Sequence, residues 1–331
     1  MAVKIAGIGS YVPDRILTNF DLEKMVDTSD EWITTRTGIQ ERHISEPDVP
    51  TSDLALPAAL RAMEMAGITA EQLDIISVAT VTGDYHFPST ACVLQEKLGA
   101  TSNCACYDLQ AACSGLLYSN DVATAMLKHR KNAKYALVVG AEKLSSIVDW
   151  SDRSTCVLFG DGASALVLEK DEEDQGDDTL LTTVLGARGG NAQILKIAAG
   201  GSVLPPSHET IDNKQHFIQM GGPEVFKLAV TAMTNASKEA LAEFGLTIDQ
   251  IRWVIPHQAN KRIIDAVGSR LGASEEQVYV NVQRYGNTSA ASIGICLDEI
   301  VRGGMIKPGD YVLLTSFGAG MTWGSALLRW K

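Results

Sequence analysis

The sequence contains a faint copy of itself, and this constrains the fold more than any other feature. The segment Gly67-Ile-Thr-Ala-Glu-Gln-Leu73 returns as Gly245-Leu-Thr-Ile-Asp-Gln-Ile251, an offset of 178 residues (245 − 67). Each copy runs directly into an apolar stretch, IISVAT or WVIPH. Leu98-Gly-Ala100 returns as Leu271-Gly-Ala273, with the same short gap to YDLQAACSG in one copy and VNVQRYGNTS in the other. Tyr135-Ala-Leu-Val-Val-Gly140 matches Tyr311-Val-Leu-Leu-Thr-Ser316, and Gly162-Ala-Ser-Ala-Leu166 matches Gly324-Ser-Ala-Leu327. Four matches in one order indicate a duplicated scaffold. The duplication puts Cys113 and Asn287, 174 residues apart (287 − 113), at equivalent strand-to-helix turns. Two related halves then carry different polar residues at one structural position, which lets a pseudo-symmetric fold build an asymmetric site.

Within each half, apolar β-branched runs alternate with helical patterns: VKIAGIG, PAALRAMEMAG, DIISVAT, STACVLQEKLG, YALVVGAE. Strands separated by helices predict parallel βαβ units with right-handed crossovers, hence an α/β fold. A chain of 331 residues suffices for two halves that share one core. The expected division is an N-terminal half over 1–170 carrying Cys113, a connection over 171–215, and a C-terminal half over 216–331 carrying His257 and Asn287. The acidic run EKDEEDQGDD, residues 169–178, reads as a solvated loop. The glycine-rich stretch 186–219, with Pro205-Pro206, reads as irregular. The first half also carries about 15 extra residues between its Gly140 and Gly162 strands, including SSIVDWSDRSTC. A polar insertion on a repeated scaffold is a candidate binding element or a subunit contact.

The net charge of −12 argues against general nucleic-acid binding, which needs a basic surface. The six cysteines have neither disulfide nor zinc spacing, so no metal is expected and the five besides Cys113 are expected to be buried and reduced. The opening MAVKIAGIGSYVP reads as a strand and turn rather than a secretory leader. No apolar stretch approaches the ~20 residues that span a bilayer. The expectation is a cytoplasmic protein without membrane contact.

Cys113 follows the strand-like YDLQAA and opens the helical pattern SGLLYSNDVATAMLKH. A thiol at a helix N-terminus faces the positive end of the dipole, which predicts a lowered pKa and more thiolate. His257, in VIPHQAN, stands at the exit of an apolar strand, where α/β folds place their sites. Asn287, in RYGNTSAAS, faces the same cleft if the repeat holds, though Asn-Thr-Ser also suits a plain helix cap. Cys, His and Asn together support two chemistries. One is papain-like hydrolysis, whose local signature Cys-Gly-Ser-Cys-Trp is missing here. The other is acyl transfer to Cys followed by carbon–carbon bond formation, with His and Asn as neutral donors to an enolate. A non-catalytic scaffold has no need for three such residues at convergent turns.

At full length the chain resembles the β-ketoacyl-acyl-carrier-protein synthase III family of the thiolase superfamily. The resemblance is carried by VDTSDEWITTRTGIQER, DLQAACSG, DRSTCVLFGDGA, MGGPEVFK, IPHQANKRI, RYGNTSAAS and SFGAGMTWGSAL, in family order. It implies a thiolase-like fold of two pseudo-symmetric halves in αβαβα layers, and an initiating condensing enzyme of fatty acid synthesis. Asn287 in GNTS favours the initiating type, since elongating synthases use Cys-His-His. A related enzyme that primes a polyketide would keep the same triad.

The resemblance further implies that Cys113 takes the acyl group of an acyl-CoA, and that the enzyme then condenses it with malonyl-acyl-carrier protein. The backbone N–H groups of Cys113 and Ala319 would hold the oxyanion, while His257 and Asn287 would hold the enolate. CoA is a substrate in this scheme, and no resident cofactor is implied. Trp32 and Arg153 would sandwich the adenine, Thr28 and Arg36 would meet the nucleotide and its phosphates, and Asn260 the pantetheine. Phe87 corresponds to a residue near the acyl pocket. Lys227, Lys261, Arg262 and Arg270 would form a local basic patch for the acidic carrier protein, although the family's further basic residue is Ser269 here. A homodimer is expected.

Overall fold

A computed structural model describes residues 2–101, 103–173, 176 and 178–331. The first half runs β1 (Ala2–Tyr11), β2 (Ile16–Thr18), α1 (Asn19–Leu22), α2 (Asp30–Thr37), β3 (Glu41–His43), α3 (Thr51–Ala66), β4 (Leu73–Ala79), α4 (Thr90–Leu98), β5 (Ala105–Leu109), α5 (Gly115–His129), β6 (Tyr135–Glu142) and β7 (Gly162–Asp171). The second runs β8 (Leu180–Ala187), β9 (Leu195–Ile197), α6 (His208–Asp212), β10 (Ile218–Met220), α7 (Gly222–Glu243), β11 (Ile251–Pro256), α8 (Lys261–Leu271), α9 (Val282–Tyr285), α10 (Ala291–Arg302), β12 (Tyr311–Gly318) and β13 (Thr322–Arg329).

Two sheets repeat one plan. The first has strand order β1-β7-β6-β4-β5 and the second β8-β13-β12-β11. In both, the central pair is parallel and the next two pairings are antiparallel. The counterpart of β5 is reduced to a parallel bridge between Val254 and Val278. The repeated sequence signals have matching local causes. Gly67 and Gly245 follow α3 and α7 at φ 67° and 60°, and Gly99 and Gly272 follow α4 and α8 at 72° and 78°. Left-handed residues of this kind end helices, and glycine adopts them without a Cβ clash. The Thr69 N–H then donates to Gln72 at 2.9 Å, and the Thr247 N–H to Gln250 at 2.8 Å, giving the same capping box in each half.

Strand alternation sorts side chains between layers. Ala136, Val138, Leu166 and Leu168 of the first sheet face inward, as do Val312, Leu314, Ala326 and Leu328 of the second. Between them lie Leu116, Leu117 and Leu127 of α5 with Ile293, Leu297 and Ile300 of α10. The intervening strand positions, such as Leu137, Val139 and Val167, turn outward onto α3 and α4. Leu313 and Leu327 turn outward onto α7 and α8. The result is the αβαβα order, with the N-termini of both central helices meeting where the halves join.

Three expectations change. Leu180–Ala187, inside the expected connection, pairs along β13 and so belongs to the second half. The charge run begins inside β7, where Lys170 is buried with its ammonium donating to the carbonyls of Arg130 and Lys131. Asp174, Gln175 and Asp177 of that run lie outside the described residues. The stretch 186–219 is partly ordered, since β9 and β10 pair and the Ile218 N–H donates to Ile147 of the insertion.

Candidate active site

One cavity of about 920 Å³ opens at the join, lined by Cys113, His257, Asn287, Ala319 and Asn260 among others. Apolar walls come from three places: Leu144, Ile147 and Leu158 in and beside the insertion, Ile197 and Ile218 of the β9–β10 pair, and Phe226 and Met233 of α7.

The Cys113 turn is pinned to the β12–β13 hairpin. Ser316 donates its hydroxyl to the Cys113 carbonyl at 2.7 Å, and Ser114 and Thr322 donate theirs to the Ala111 carbonyl at 2.7 and 2.9 Å. Gly318 is required by close approach, because a Cβ there would stand 2.7 Å from the Cys113 nitrogen. Ala112 takes φ 46°, and Gly286 takes 62° at the equivalent place before Asn287. Both polar residues therefore follow a residue of positive φ, although α9 replaces the strand end ahead of Asn287.

Cys113 reaches the cavity but is otherwise enclosed. Burial, and the nearby Glu142, push its thiol up to about 12, while Ser289 pulls the other way. This reverses the expected lowering: the helix end is present, but desolvation of the thiolate outweighs it.

His257 is 3% exposed, and burial pulls its pKa down to about 3, so the imidazole is neutral. Its Nδ1 lies 2.7 Å from the Ser292 hydroxyl, whose oxygen also faces the Gln258 N–H. An oxygen that accepts from Gln258 is free to donate to Nδ1, which leaves the proton of His257 on Nε2. The Asn287 side-chain carbonyl accepts from the Ser289 N–H at 2.8 Å, so its amide nitrogen is the end left to donate. Two neutral donors therefore line the cavity beside a thiol.

Ser292, Ser289 and Glu142 went unnoticed in the sequence. The serines sit in the same RYGNTSAAS segment as Asn287, and Glu142 is a lone acid closing an apolar strand. Those two signals were legible, but which partner each meets was not.

Trp32 carries Arg36 and Arg153 with their guanidinium carbons 5.0 and 5.1 Å from its ring centre. Arg36 and Ser154 reach the cavity lining, which places the Trp32–Arg153 stack beside its mouth. The Thr28 hydroxyl is buried without a hydrogen-bond partner. Asn260 caps α8 by accepting from the Arg262 N–H, and donates to the Arg36 carbonyl. Arg262 lies over Phe226 of α7, and Arg270 donates to Thr231, so Lys227, Arg262 and Arg270 share the α7–α8 face. Lys261 stands apart, paired with Asp265 and packed against Gly38.

Phe87 departs from expectation: it is 87% exposed and outside the cavity lining. Among the other cysteines only Cys156 and Cys296 are buried; Cys92 is exposed, and Cys104 and Cys106 are partly so on and beside the open edge strand β5.

Residues 107–189 match the family description 3-oxoacyl-[acyl-carrier-protein] synthase III, and residues 241–330 match its C-terminal counterpart. The chain is 52% identical to a β-ketoacyl-[acyl-carrier-protein] synthase III of Caldanaerobacter subterraneus, covering 100% of this chain and 98% of that one. The chain belongs to the β-ketoacyl-acyl-carrier-protein synthase III family. A Xanthomonas campestris relative is 51% identical over 99% of this chain and 98% of its own. The crystal structure of the Aquifex aeolicus synthase superposes with a TM-score of 0.90 at 46% identity, covering 99% of this chain and 100% of that one. The fold is thus thiolase-like, and the protein is an acyltransferase of the condensing type that initiates fatty acid synthesis from an acyl-CoA and malonyl-acyl-carrier protein. No metal-binding cluster occurs among the described residues, and no described helix is long and apolar enough to cross a membrane.

Proposed function

We propose that Cys113 is the nucleophile of this condensation and that His257 and Asn287 act on the second substrate. The observation that carries the reading is the convergence of a thiol and two neutral hydrogen-bond donors on one cavity from opposite halves. In the first step the Cys113 sulfur attacks the primer thioester and CoA leaves. The oxyanion sits on the N–H groups of Cys113 and Ala319, a reading supported by the close approach of Gly318, the residue before Ala319, to the Cys113 nitrogen. In the second step malonyl-acyl-carrier protein enters the same tunnel and loses CO₂. The enolate oxygen accepts from His257 Nε2 and the Asn287 amide, and its carbon attacks the acyl-Cys carbonyl. Neutrality suits His257 to this task, since a donor that keeps its proton stabilises the enolate without quenching the carbanion.

The adenine of CoA lies between Trp32 and Arg153, Thr28 and Arg36 meet the nucleotide, and Asn260 meets pantetheine. Lys227, Arg262 and Arg270 dock the carrier protein, with Lys261 a lesser contributor because Asp265 neutralises it. The working form is a cytoplasmic homodimer. The half-buried edge strand β5, and the exposed Tyr85 and Phe87 beside it, support this assembly. Asp108 of β5 accepts from the Thr90 and Ala91 N–H groups, which holds the loop carrying Phe87 at that edge. Pairing of two copies along β5 covers Phe87 and gives it access to an acyl pocket across the interface.

The test separates the two steps. Cys113→Ala is expected to lose self-acylation by acyl-CoA. His257→Ala and Asn287→Ala are expected to retain it while losing condensation by ~10²–10³-fold, the usual cost of one oxyanion donor. Loss of acylation in Asn287→Ala equal to that in Cys113→Ala would point instead to a hydrolase-like triad.

A further inference from the structure

Glu142 closes the otherwise apolar strand β6 and is fully buried. Its carboxylate accepts from the N–H groups of Val81 and Thr82 at 3.1 and 3.2 Å. It also accepts from the hydroxyls of Thr80, Thr82 and Ser289 at 3.2, 2.6 and 3.0 Å. No ion pair involves it among the described residues. Its neighbour Lys143 turns away to the carbonyls of Glu46, Pro47 and Val49, and Asp161 is occupied by Ser45 and Ser145. His257 is neutral. Cys113 is the titratable group that shares the cavity wall with Ser289, the residue whose hydroxyl donates to Glu142. With no opposite charge beside it, the buried carboxylate keeps a desolvation cost that these hydrogen bonds only partly offset.

We propose that Ser289 and Glu142 form a proton reservoir for Cys113, taking the thiol proton when the sulfur attacks and returning it when the sulfur is released. The proposal rests on the reading of Cys113 as nucleophile. On attack the Cys113 S–H bond breaks, its proton passes to the Ser289 oxygen, and the Ser289 proton passes to the Glu142 carboxylate. A bond forms from sulfur to the primer carbonyl carbon, and the bond to the CoA sulfur breaks. CoA departs as a thiolate and takes one proton from solvent. In the condensation the malonyl C–COO bond breaks, the enolate carbon bonds to the acyl carbon, and the acyl bond to Cys113 breaks. The released thiolate recovers its proton from Glu142 through Ser289. One solvent proton is consumed per cycle, which balances the loss of CO₂ from a carboxylate.

Charge decides between Glu142 and His257 as the acceptor. Moving the proton to Glu142 neutralises a buried charge, whereas moving it to His257 creates one where burial already opposes it. Burial also raises the Glu142 pKa to about 7, which suits an acceptor working near neutrality. Glu142 acts through Ser289 and is a positioning residue rather than one that touches substrate.

The test is the single-turnover rate of Cys113 acylation by acyl-CoA, followed by mass spectrometry from pH 5.5 to 9 in wild type, Glu142→Gln and Ser289→Ala. The wild-type rate is expected to rise with an inflection near pH 7. Both variants are expected to lose ~10²-fold in rate and the inflection with it, the usual range for proton transfer, with acyl-CoA affinity unchanged. Glu142→Asp, which keeps the acid, is expected to retain an inflection. Either variant holding the wild-type rate and profile overturns the reservoir. Should Glu142→Gln fail to bind CoA through misfolding, Ser289→Ala decides alone, since it leaves the carboxylate in place. A wild type that never acylates Cys113 is a different result, and it overturns the nucleophile assignment instead.

Discussion

Burial sets what each polar side chain at the join can do. It pushes the Cys113 thiol up and the His257 imidazole down, so both rest uncharged in the enclosed site. For His257 this has a consequence for stability. Its folded pKa, about 3, lies below the ordinary 6.5, so as pH falls below 6.5 the unfolded chain binds a proton that the folded chain refuses. Glu142 runs the other way, since its raised pKa favours the folded state most below 4.5 and that contribution is lost as pH rises toward 7. Urea midpoints at pH 7 and pH 5 are expected to show a smaller acid-side loss in His257→Gln than in wild type; comparing the two proteins cancels the Glu142 contribution. Gly318→Ala is expected to reduce acylation by ~10²-fold or more, because its Cβ would displace the Cys113 nitrogen from the oxyanion position proposed for it. Cys113, His257 and Asn287 were legible because the repeat and the strand exits mark them. The pKa direction of Cys113 was not, since the helix start is local in sequence whereas the enclosing residues, Glu142 and Ser289, come from distant segments.

At the scale of elements, the duplication foretold that the two sheets share one plan, though not that each carries two antiparallel pairings where parallel βαβ units were expected, and its glycines and capping boxes foretold where helices end. The same comparison could not find β8, because LLTTVLGA follows a charge run without a punctuated turn, and its register is set by β13 across the sheet. It also expected a fifth strand before Asn287, which in the structure shrinks to the Val278 bridge and α9. The insertion between β6 and β7 is the element the repeat lacks, and it supplies both cavity wall and Arg153. Trp32→Ala and Arg153→Ala are therefore expected to raise KM for acyl-CoA by about 3- to 30-fold, from the loss of a cation–π contact, with less effect on carrier-protein substrates that lack adenine. Steady-state kinetics with both substrates would check this, and equal losses would mark the pair as structural. Arg262→Glu on α8 is expected to lower kcat/KM for malonyl-carrier protein at low salt while leaving self-acylation nearly unchanged. Normal carrier-protein kinetics in that variant would remove the α7–α8 face from the docking surface.

In the whole molecule, the two halves are bound by one shared interior, since α5 and α10 are sandwiched between both sheets. The duplication lets the two halves contribute different groups to one cavity: the thiol comes from one half, the two neutral hydrogen-bond donors from the other. The open β5 edge with exposed Phe87 supports the proposed dimer; sedimentation velocity is expected to show one, weakened in Phe87→Asp. The most direct test of the account is the mass of the intact protein after mixing with acyl-CoA and again after adding malonyl-acyl-carrier protein. The account predicts one acyl group on the peptide containing Cys113, which disappears on the second addition as β-ketoacyl-carrier protein forms. An adduct on another cysteine, or discharge of the acyl group as free acid, would contradict it.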